Sequence, residues 1–340
     1  MGAVRLSVLD TSPIVSGSTA REALGNSVDL ARWAERLGYH RYWVAEHHGM
    51  PGVASAAPAV LVGRLAAATS RIRVGAGGVL LRNHTPIVVA EQFGTLEALH
   101  PGRIDLGIGR SIGGRAQTAD LVRGRSEPAS ASFPERLDEL LGHFTQHTSR
   151  AIPAEGNAPP VWLLGSSEAS ARLAGPLGLP YAFAHHLNPD ATAAALRSYR
   201  ETFRPSRVAC EPTALLSVSV IAADTEEHAE WLAGPSKLKF LARRSGRSIL
   251  LPPPEQAAAY PYTDQERAAI DAQFATVLVG SPDTVRDRLR ALAEDTGVDE
   301  LMLTTRVHDH SDRRRSYQLI AEARPHPLTS TIVEDLASPS

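Results

Sequence analysis

Glu46, His47 and His48 stand side by side in the segment WVAEHHG. An imidazole changes protonation near neutral pH and an adjacent carboxylate orients or tunes it, so His47 is the candidate general base, with Glu46 and His48 beside it. The competing reading is a set of histidines that only satisfy local structure. A second group lies in WLLGSSEAS, where Gly165 permits a tight exit from an apolar run and Ser166 or Ser167 can cap the helix that follows. The free amides there, with Ser167 and Ser170, suit a phosphate, although an ordinary capped helix has the same sequence. A third is RIRVGAGG, in which Gly75, Gly77 and Gly78 either let the backbone approach a flat ring or mark a bulge. Arg110 and Ser111 leave the run RIDLGIG. Its continuation LGIGRSIGG is not a dinucleotide loop, because the spacing is GxGxxxG and it follows a fourth strand.

These groups must be held by regular elements. Eight apolar or β-branched runs read as strands: Val4–Asp10, Arg41–Ala45, Ile72–Gly77, Ile104–Gly109, Val161–Gly165, Tyr181–Ala184, Ala214–Ala222 and Glu300–Thr304. Amphipathic stretches between them read as helices: Ala20–Leu37, Ala56–Thr69, Pro86–Leu99, Glu135–Thr148, Glu168–Leu177, Ala191–Phe203, Thr225–Arg244 and Asp283–Glu294. The alternation predicts an α/β fold, a parallel (β/α)8 TIM barrel, with its site at the carboxyl ends of the strands. The exits bear this out in composition: AspThrSerPro from Asp10, GluHisHis, GlyGly, GlyArgSer, GlySerSer, His185–His186 and ThrThrArgValHis from Thr304. Ser126–Pro134, Ile152–Pro160 and Leu251–Tyr262 read as loops. The long insertion between strands seven and eight, with RRSGRSILLPPPEQAAAYPY in it, is expected to be a mobile lid over the site. One domain over residues 1–325 with a tail over 326–340 is expected.

Composition excludes several classes. Thirty-five basic against 37 acidic residues give no sustained field for nucleic acid or an anionic membrane. A single cysteine, Cys210, rules out an internal disulfide framework or a multi-cysteine metal site. The first strand begins within a few residues of Met1, leaving no room for a signal peptide, and no apolar run reaches spanning length. A cytoplasmic protein acting on a small molecule is the expectation, with no metal assigned.

The residues quoted above resemble those of the bacterial-luciferase-like, flavin-dependent monooxygenases, and the likeness runs from LSVLDTSP through DELMLTTRVHDHSDRRRSYQLIAEA. The single-chain oxidoreductase subgroup, which includes tailoring enzymes of aromatic polyketide pathways, is the nearest in pattern. The resemblance implies the GluHisHis base at His47 and a cis Gly77–Gly78 peptide beneath the isoalloxazine. It also implies Arg110 near the flavin phosphate, which would be held by Gly165, Ser166, Ser167 and Ser170. Gly109 stands where luciferases carry a reactive cysteine, which weakens a light-emitting reading more than a monooxygenase one. Reduced FMN supplied in trans by a separate NAD(P)H-dependent flavin reductase, O2 and an organic substrate are the implied reactants. One oxygen atom would be inserted by hydroxylation or epoxidation. The resemblance also implies a homodimer through the helices Ala56–Thr69 and Pro86–Leu99. An F420-dependent oxidoreductase shares this barrel and pocket, and remains the alternative. A metal-dependent barrel hydrolase fits less well, since the first strand ends without a histidine pair. A non-catalytic flavin-binding protein would be expected to have lost barrel elements, and all eight runs are present.

Overall fold

A computed structural model of the chain describes residues 4–111, 113, 118, 121–122, 132–145 and 150–323. The expected tail from residue 326, the helix end at 146–148 and the loop part at 126–131 lie outside the described residues. The strands are β1 (Arg5–Asp10), β2 (Arg41–Val44), β3 (Arg73–Leu80), β4 (Ile104–Gly109), β5 (Val161–Gly165), β6 (Tyr181–Phe183), β7 (Ala214–Ala222), β8 (Leu278–Gly280) and β9 (Glu300–Thr304). The described helices are α1 (Ala20–Arg36), α2 (Pro58–Ala68), α3 (Pro86–Leu99), α4 (Phe133–Thr145), α5 (Glu168–Ala174), α6 (Thr192–Thr202), α7 (Glu226–Arg244), α8 (Pro254–Ala258), α9 (Asp264–Phe274), α10 (Pro282–Thr296) and α11 (His310–Glu322).

Eight of the strands close into a parallel barrel. Val8 of β1 pairs with Tyr42 of β2 on one side and with Leu303 of β9 on the other. Closure is completed where Tyr181 of β6 meets Ala214 of β7 and Leu216 of β7 meets Leu301 of β9. The (β/α)8 expectation therefore holds, with one strand more than the sequence indicated: β8 pairs only with the far end of β7, at Val220–Ala222. Three residues are too few to show a period of two, which is why TVLVG gave no signal.

Local chemistry sets the ends of several helices. Thr19 and Glu22 form a capping box on α1, and Thr263 with Glu266 does the same for α9. Helix α3 starts at Pro86, where a missing N–H costs nothing, and ends at Leu99 as the periodicity requires. Helix α10 stops at Gly297, whose φ of 62° is left-handed.

Strands buried on both faces carry apolar residues on both, as in β2 and β4, all of whose residues are buried. The larger apolar cluster lies between strands and helices, while Leu9, Trp43, Trp162, Leu215 and Met302 fill the barrel interior. Trp43 and Trp162 meet edge to face at 5.5 Å. Below them, at the amino ends of the strands, Arg41 binds Asp105 at 2.8 Å and Glu300 at 2.6 Å, and Arg73 binds Asp105 at 2.6 Å. The indole N–H of Trp43 also donates to Asp105, at 3.0 Å. This ion-paired plug and the apolar layer above it close the bottom of the barrel and leave the carboxyl end for function.

The insertion expected to be a mobile lid is more structured than its prolines imply. Residues 243–248 are exposed, but Leu251 is buried and bridged to Val15, with Ser16 N–H donating to its carbonyl at 2.9 Å. The rest folds into α8, which uses Pro254 as its first helical residue and packs against α7, and into α9. The free part of the connection is thus short, and pinned at one point to the β1 exit.

Candidate active site

Glu46 is the organising group at the β2 exit. Its Oε1 accepts from His48 Nε2 at 2.6 Å and from His84 Nε2 at 2.7 Å, and its Oε2 accepts from the Leu80 N–H at 2.9 Å. Burial works against the charged carboxyl, but the hydrogen bond and charge of His84, the Leu80 N–H and the His48 bond outweigh it and hold Glu46 below its ordinary value. The ligand atoms of Glu46, His48 and His84 lie within 4.8 Å of one another, a spacing a cation could also use; at the distances found, they satisfy each other. Glu46 therefore ties the β2 exit to the end of β3. It makes no hydrogen bond to His47, so its orienting action falls on His48 and His84, not on the candidate base. His84 follows β3 in the sequence LLRNHTP, with no neighbouring acid to single it out.

His47 is different from its neighbours. Its backbone N–H donates to Ser55 O at 3.0 Å, which fixes the residue, while its buried Nδ1 has no hydrogen-bond partner. Burial, and next the positive charges of Arg306 and His48, hold the imidazole below its ordinary value, with Glu46 opposing them. The ring is neutral at neutral pH and has a nitrogen to spare. Across the mouth, His185 Nδ1 is engaged by Thr192 at 2.8 Å and His186 Nδ1 by Ser217 Oγ at 2.9 Å. Burial and then Arg306 push His186 down to about 4.

On the β3 to β5 side, the Gly77–Gly78 peptide is cis, as the resemblance implies. The pairing with β4 slips there, from Ala76 opposite Leu106 to Val79 opposite Ile108, so a bulge is present as well. The reason for glycine is close packing of the protein on itself: a Cβ on Gly77 would lie 2.9 Å from Leu9 and 3.0 Å from Trp43, and one on Gly78 would lie 2.8 Å from the Gly107 carbonyl.

Arg110, at the β4 exit, is exposed and makes no hydrogen bond or ion pair among the described residues. Ser167 is the residue before α5, with φ −150°, yet its side chain makes no capping bond. Its carbonyl accepts from Ser170 Oγ at 2.6 Å. Ser166 contributes its carbonyl to Asn188 at 2.8 Å, and its hydroxyl is also without a partner among the described residues. Ser170 is instead engaged: its hydroxyl also meets Tyr181 Oη at 2.8 Å and packs on Gly165, which has no room for a side chain. Two free hydroxyls and a free guanidinium at adjoining strand exits fit a phosphate, with Ser170 shaping the turn behind them.

Asp10, by contrast, is consumed by structure. It accepts from Arg313 at 2.7 Å, the Ser12 N–H at 2.8 Å, Ser27 at 2.5 Å and Tyr42 at 2.6 Å, so this strand exit is a brace.

The sequence matches the family described as luciferase-like monooxygenase over residues 4–300. It is 48% identical over 322 residues to the uncharacterized protein YvbT of Bacillus subtilis (strain 168), covering 93% of this chain and 96% of that protein. It is 43% identical over 329 residues to a luciferase-like monooxygenase of Escherichia coli (strain K12), with 96% and 98% covered. The crystal structure of apo-MsnO8 superposes with a TM-score of 0.89 at 42% identity, covering 94% of this chain and 98% of that one. Two more distant structures share the fold. One is the oxygenating constituent of 3,6-diketocamphane monooxygenase from Pseudomonas putida in complex with FMN (TM-score 0.71, 22% identity, 94% and 97% covered). The other is an F420-dependent secondary alcohol dehydrogenase (TM-score 0.66, 14% identity, 95% and 99% covered). With the family matched across most of the barrel and relatives this similar over nearly their whole length, the chain belongs to the luciferase-like monooxygenases.

Proposed function

We propose that this protein is a monooxygenase that uses reduced FMN, delivered by a separate NAD(P)H-dependent flavin reductase, and O2 to insert one oxygen atom into an organic substrate. The observation that carries the reading is the buried, unpartnered Nδ1 of the half-buried His47, at the same mouth as Arg110, unpaired among the described residues, and the uncapped Ser167. Bound reduced flavin supplies the activation of O2. Arg110 and the hydroxyls of Ser166 and Ser167 would hold its phosphate, with Gly165 and Ser170 shaping the turn, and its ring would lie over Gly77–Gly78. His47 Nδ1 accepts or returns the proton that oxygen transfer requires, and the clamp of Glu46 on His48 and His84 keeps the β2 and β3 exits in register. Hydroxylation or epoxidation in the tailoring of a secondary metabolite, such as an aromatic polyketide, is the proposed setting. Work in the cytoplasm is part of the same proposal, with Cys210 a free thiol. Among the described residues, no helix is long and apolar enough to cross a membrane.

The cofactor is tested by binding. The full chain should take reduced FMN more tightly than riboflavin, because the phosphate is an anchor. Arg110→Ala or Ser167→Ala should weaken FMN by about 1–3 kcal/mol, the scale of a hydrogen bond to a charged group, and leave riboflavin unaffected. Equal affinity for FMN and riboflavin would remove the phosphate site. Preference for F420 would move the protein to the other branch of the fold, which the similarity to the alcohol dehydrogenase keeps in view.

The proposed dimer uses α2 and α3. Val60 on α2 is 76% exposed, and Val88 and Leu99 on α3 are 43% and 68% exposed, an apolar face costly to leave in water. Light scattering at micromolar protein should give the mass of two chains, and Val60→Asp should shift it toward one. A monomeric wild type would sink this assignment.

A further inference from the structure

The barrel mouth has two unlike halves. The β2 to β5 exits carry His47, Gly77–Gly78, Arg110 and Ser166–Ser167. At the exits of β9 and β1, where Asp10 is taken up by Arg313, Arg306 and, from α7 alongside, Lys239 have no carboxylate partner among the described residues. At the β9 exit, Thr305 is buried, its N–H donating to Tyr317 Oη at 3.2 Å and its carbonyl accepting from Arg313 at 3.2 Å. Val307 is buried in an apolar cluster with Ile221 and Leu232, and His308 Nε2 meets the Ser16 carbonyl at 3.2 Å. Ser236 on α7 donates to the Arg306 carbonyl at 3.0 Å. The backbone on both sides of Arg306 is thus fixed. Its side chain alone is exposed and has no hydrogen bond or ion pair among the described residues.

Lys239 of α7 comes to the same place. Its ammonium lies against Gly52 of the β2 exit loop: a Cβ there would be 3.0 Å from Lys239 Nζ, and 3.4 Å from both the Ile14 carbonyl and Leu250. No carboxylate among the described residues pairs with it. The charge of Arg306 acts on Lys239, His47 and His186 alike, and the charge that acts on Arg306 is that of Arg243, another cation. Elsewhere this chain pairs its enclosed arginines with acids, as Arg41 with Asp105 and Arg313 with Asp10. Two like charges at one mouth with no acid between them repel each other, and an anion that arrives there relieves both.

We propose that Arg306 and Lys239 anchor the oxyanion of a carboxylate-bearing organic substrate, on the wall facing the half of the mouth that would hold the flavin. The guanidinium offers a planar fork that matches a carboxylate, the ammonium a second point charge, and the Leu250 side chain lies beside the ammonium. A substrate acid gripped here has its body beside His47, whose proton transfer it needs. The location of the reacting end rests on the flavin reading; the anion site itself does not. The flavin phosphate shares this chemistry, but Arg110, Ser166 and Ser167 already serve it on the other half.

The test is isothermal titration of the full chain, with and without FMN, using sodium octanoate and its neutral counterpart n-octanol. Octanoate should bind about tenfold or more tightly than octanol, and Arg306→Met or Lys239→Met should abolish that preference. FMN affinity and thermal midpoint should stay at wild-type values, and Arg306→Lys should retain part of the preference. Equal binding of octanoate and octanol overturns the proposal, as does a preference that survives both methionine variants. Loss of FMN binding in Arg306→Met with octanoate unchanged also overturns it, and assigns the site to the flavin phosphate. A wild type that fails to bind FMN yet keeps an Arg306-dependent octanoate preference refutes the flavin reading and upholds the anion site.

Discussion

His47→Ala should lower substrate oxygenation on the order of a hundredfold or more, while reduced-FMN binding and oxygen uptake stay close to wild type. The asymmetry follows from what His47 touches. Its Nδ1 is buried and unpaired, and only its backbone is tied, to Ser55, so the ring braces nothing that alanine would release. Product formed per O2 consumed, with a substrate the wild type turns over, is the measurement; an unchanged ratio takes His47 out of the mechanism. The pH dependence has a definite sign. A base acts deprotonated, and burial with the Arg306 charge holds this imidazole below its ordinary value. The His47-dependent limb of the rate should therefore rise with pH on the acid side of the usual histidine range and be flat above it. Arg306→Met removes one of the three depressing influences, the others being burial and the His48 charge, so the limb should move toward higher pH.

Arg313→Ala should cost about 3–5 kcal/mol of stability, because it strands a charge where water cannot reach it. Asp10 is fully buried and Arg313 is 3% exposed, and their pairing joins the end of β1 to α11. Burial opposes the Arg313 charge, but Asp10 outweighs it and raises the guanidinium's value. Burial likewise opposes the Asp10 carboxylate, and the Arg313 charge with the hydrogen bonds of Ser27 and Tyr42 holds it below the ordinary value. A depressed carboxylate stabilises the fold at neutral pH and loses that contribution as the pH falls through its folded value. The thermal midpoint of Arg313→Ala should drop by on the order of 5–10 °C at pH 7. The double variant Asp10→Asn, Arg313→Met should lose less than Arg313→Ala alone, since it leaves no unpaired charge. A midpoint within a degree of wild type for Arg313→Ala would show that Ser12, Ser27 and Tyr42 suffice for Asp10.

Much of the architecture was legible because its determinants are local. Helix α3 was bounded at Pro86 and Leu99 by its proline and its periodicity, and α7 was within one residue at its start. What escaped was short or interrupted: β8 has three residues, α8 has five, and α9 follows a proline-rich stretch that reads as loop. At Gly77 and Gly78 the expected cis peptide is present, and the close packing there has its own cause. Sequence offers a bare backbone to a ligand; packing shows a strand pressed against Leu9, Trp43 and Gly107.

By itself the sequence determined the alternation of strand and helix, the barrel it closes into and the strand exits where the candidate residues stand, because periodicity, caps and turns act within a few residues. Only the tertiary structure decided which of the exit residues are free. Glu46 was adjacent to His47 in sequence, but bonds His84, 38 residues away. Asp10 was at an exit and is spent on Arg313, 303 residues away. Arg306 stood in the exit ThrThrArgValHis and Lys239 in a helix, and their lack of acids among the described residues is visible only after closure brings β9, α7 and the β2 loop together. Whether a polar side chain is satisfied depends on every neighbour that folding gathers around it, and that is a property of the closed barrel, not of any segment of it.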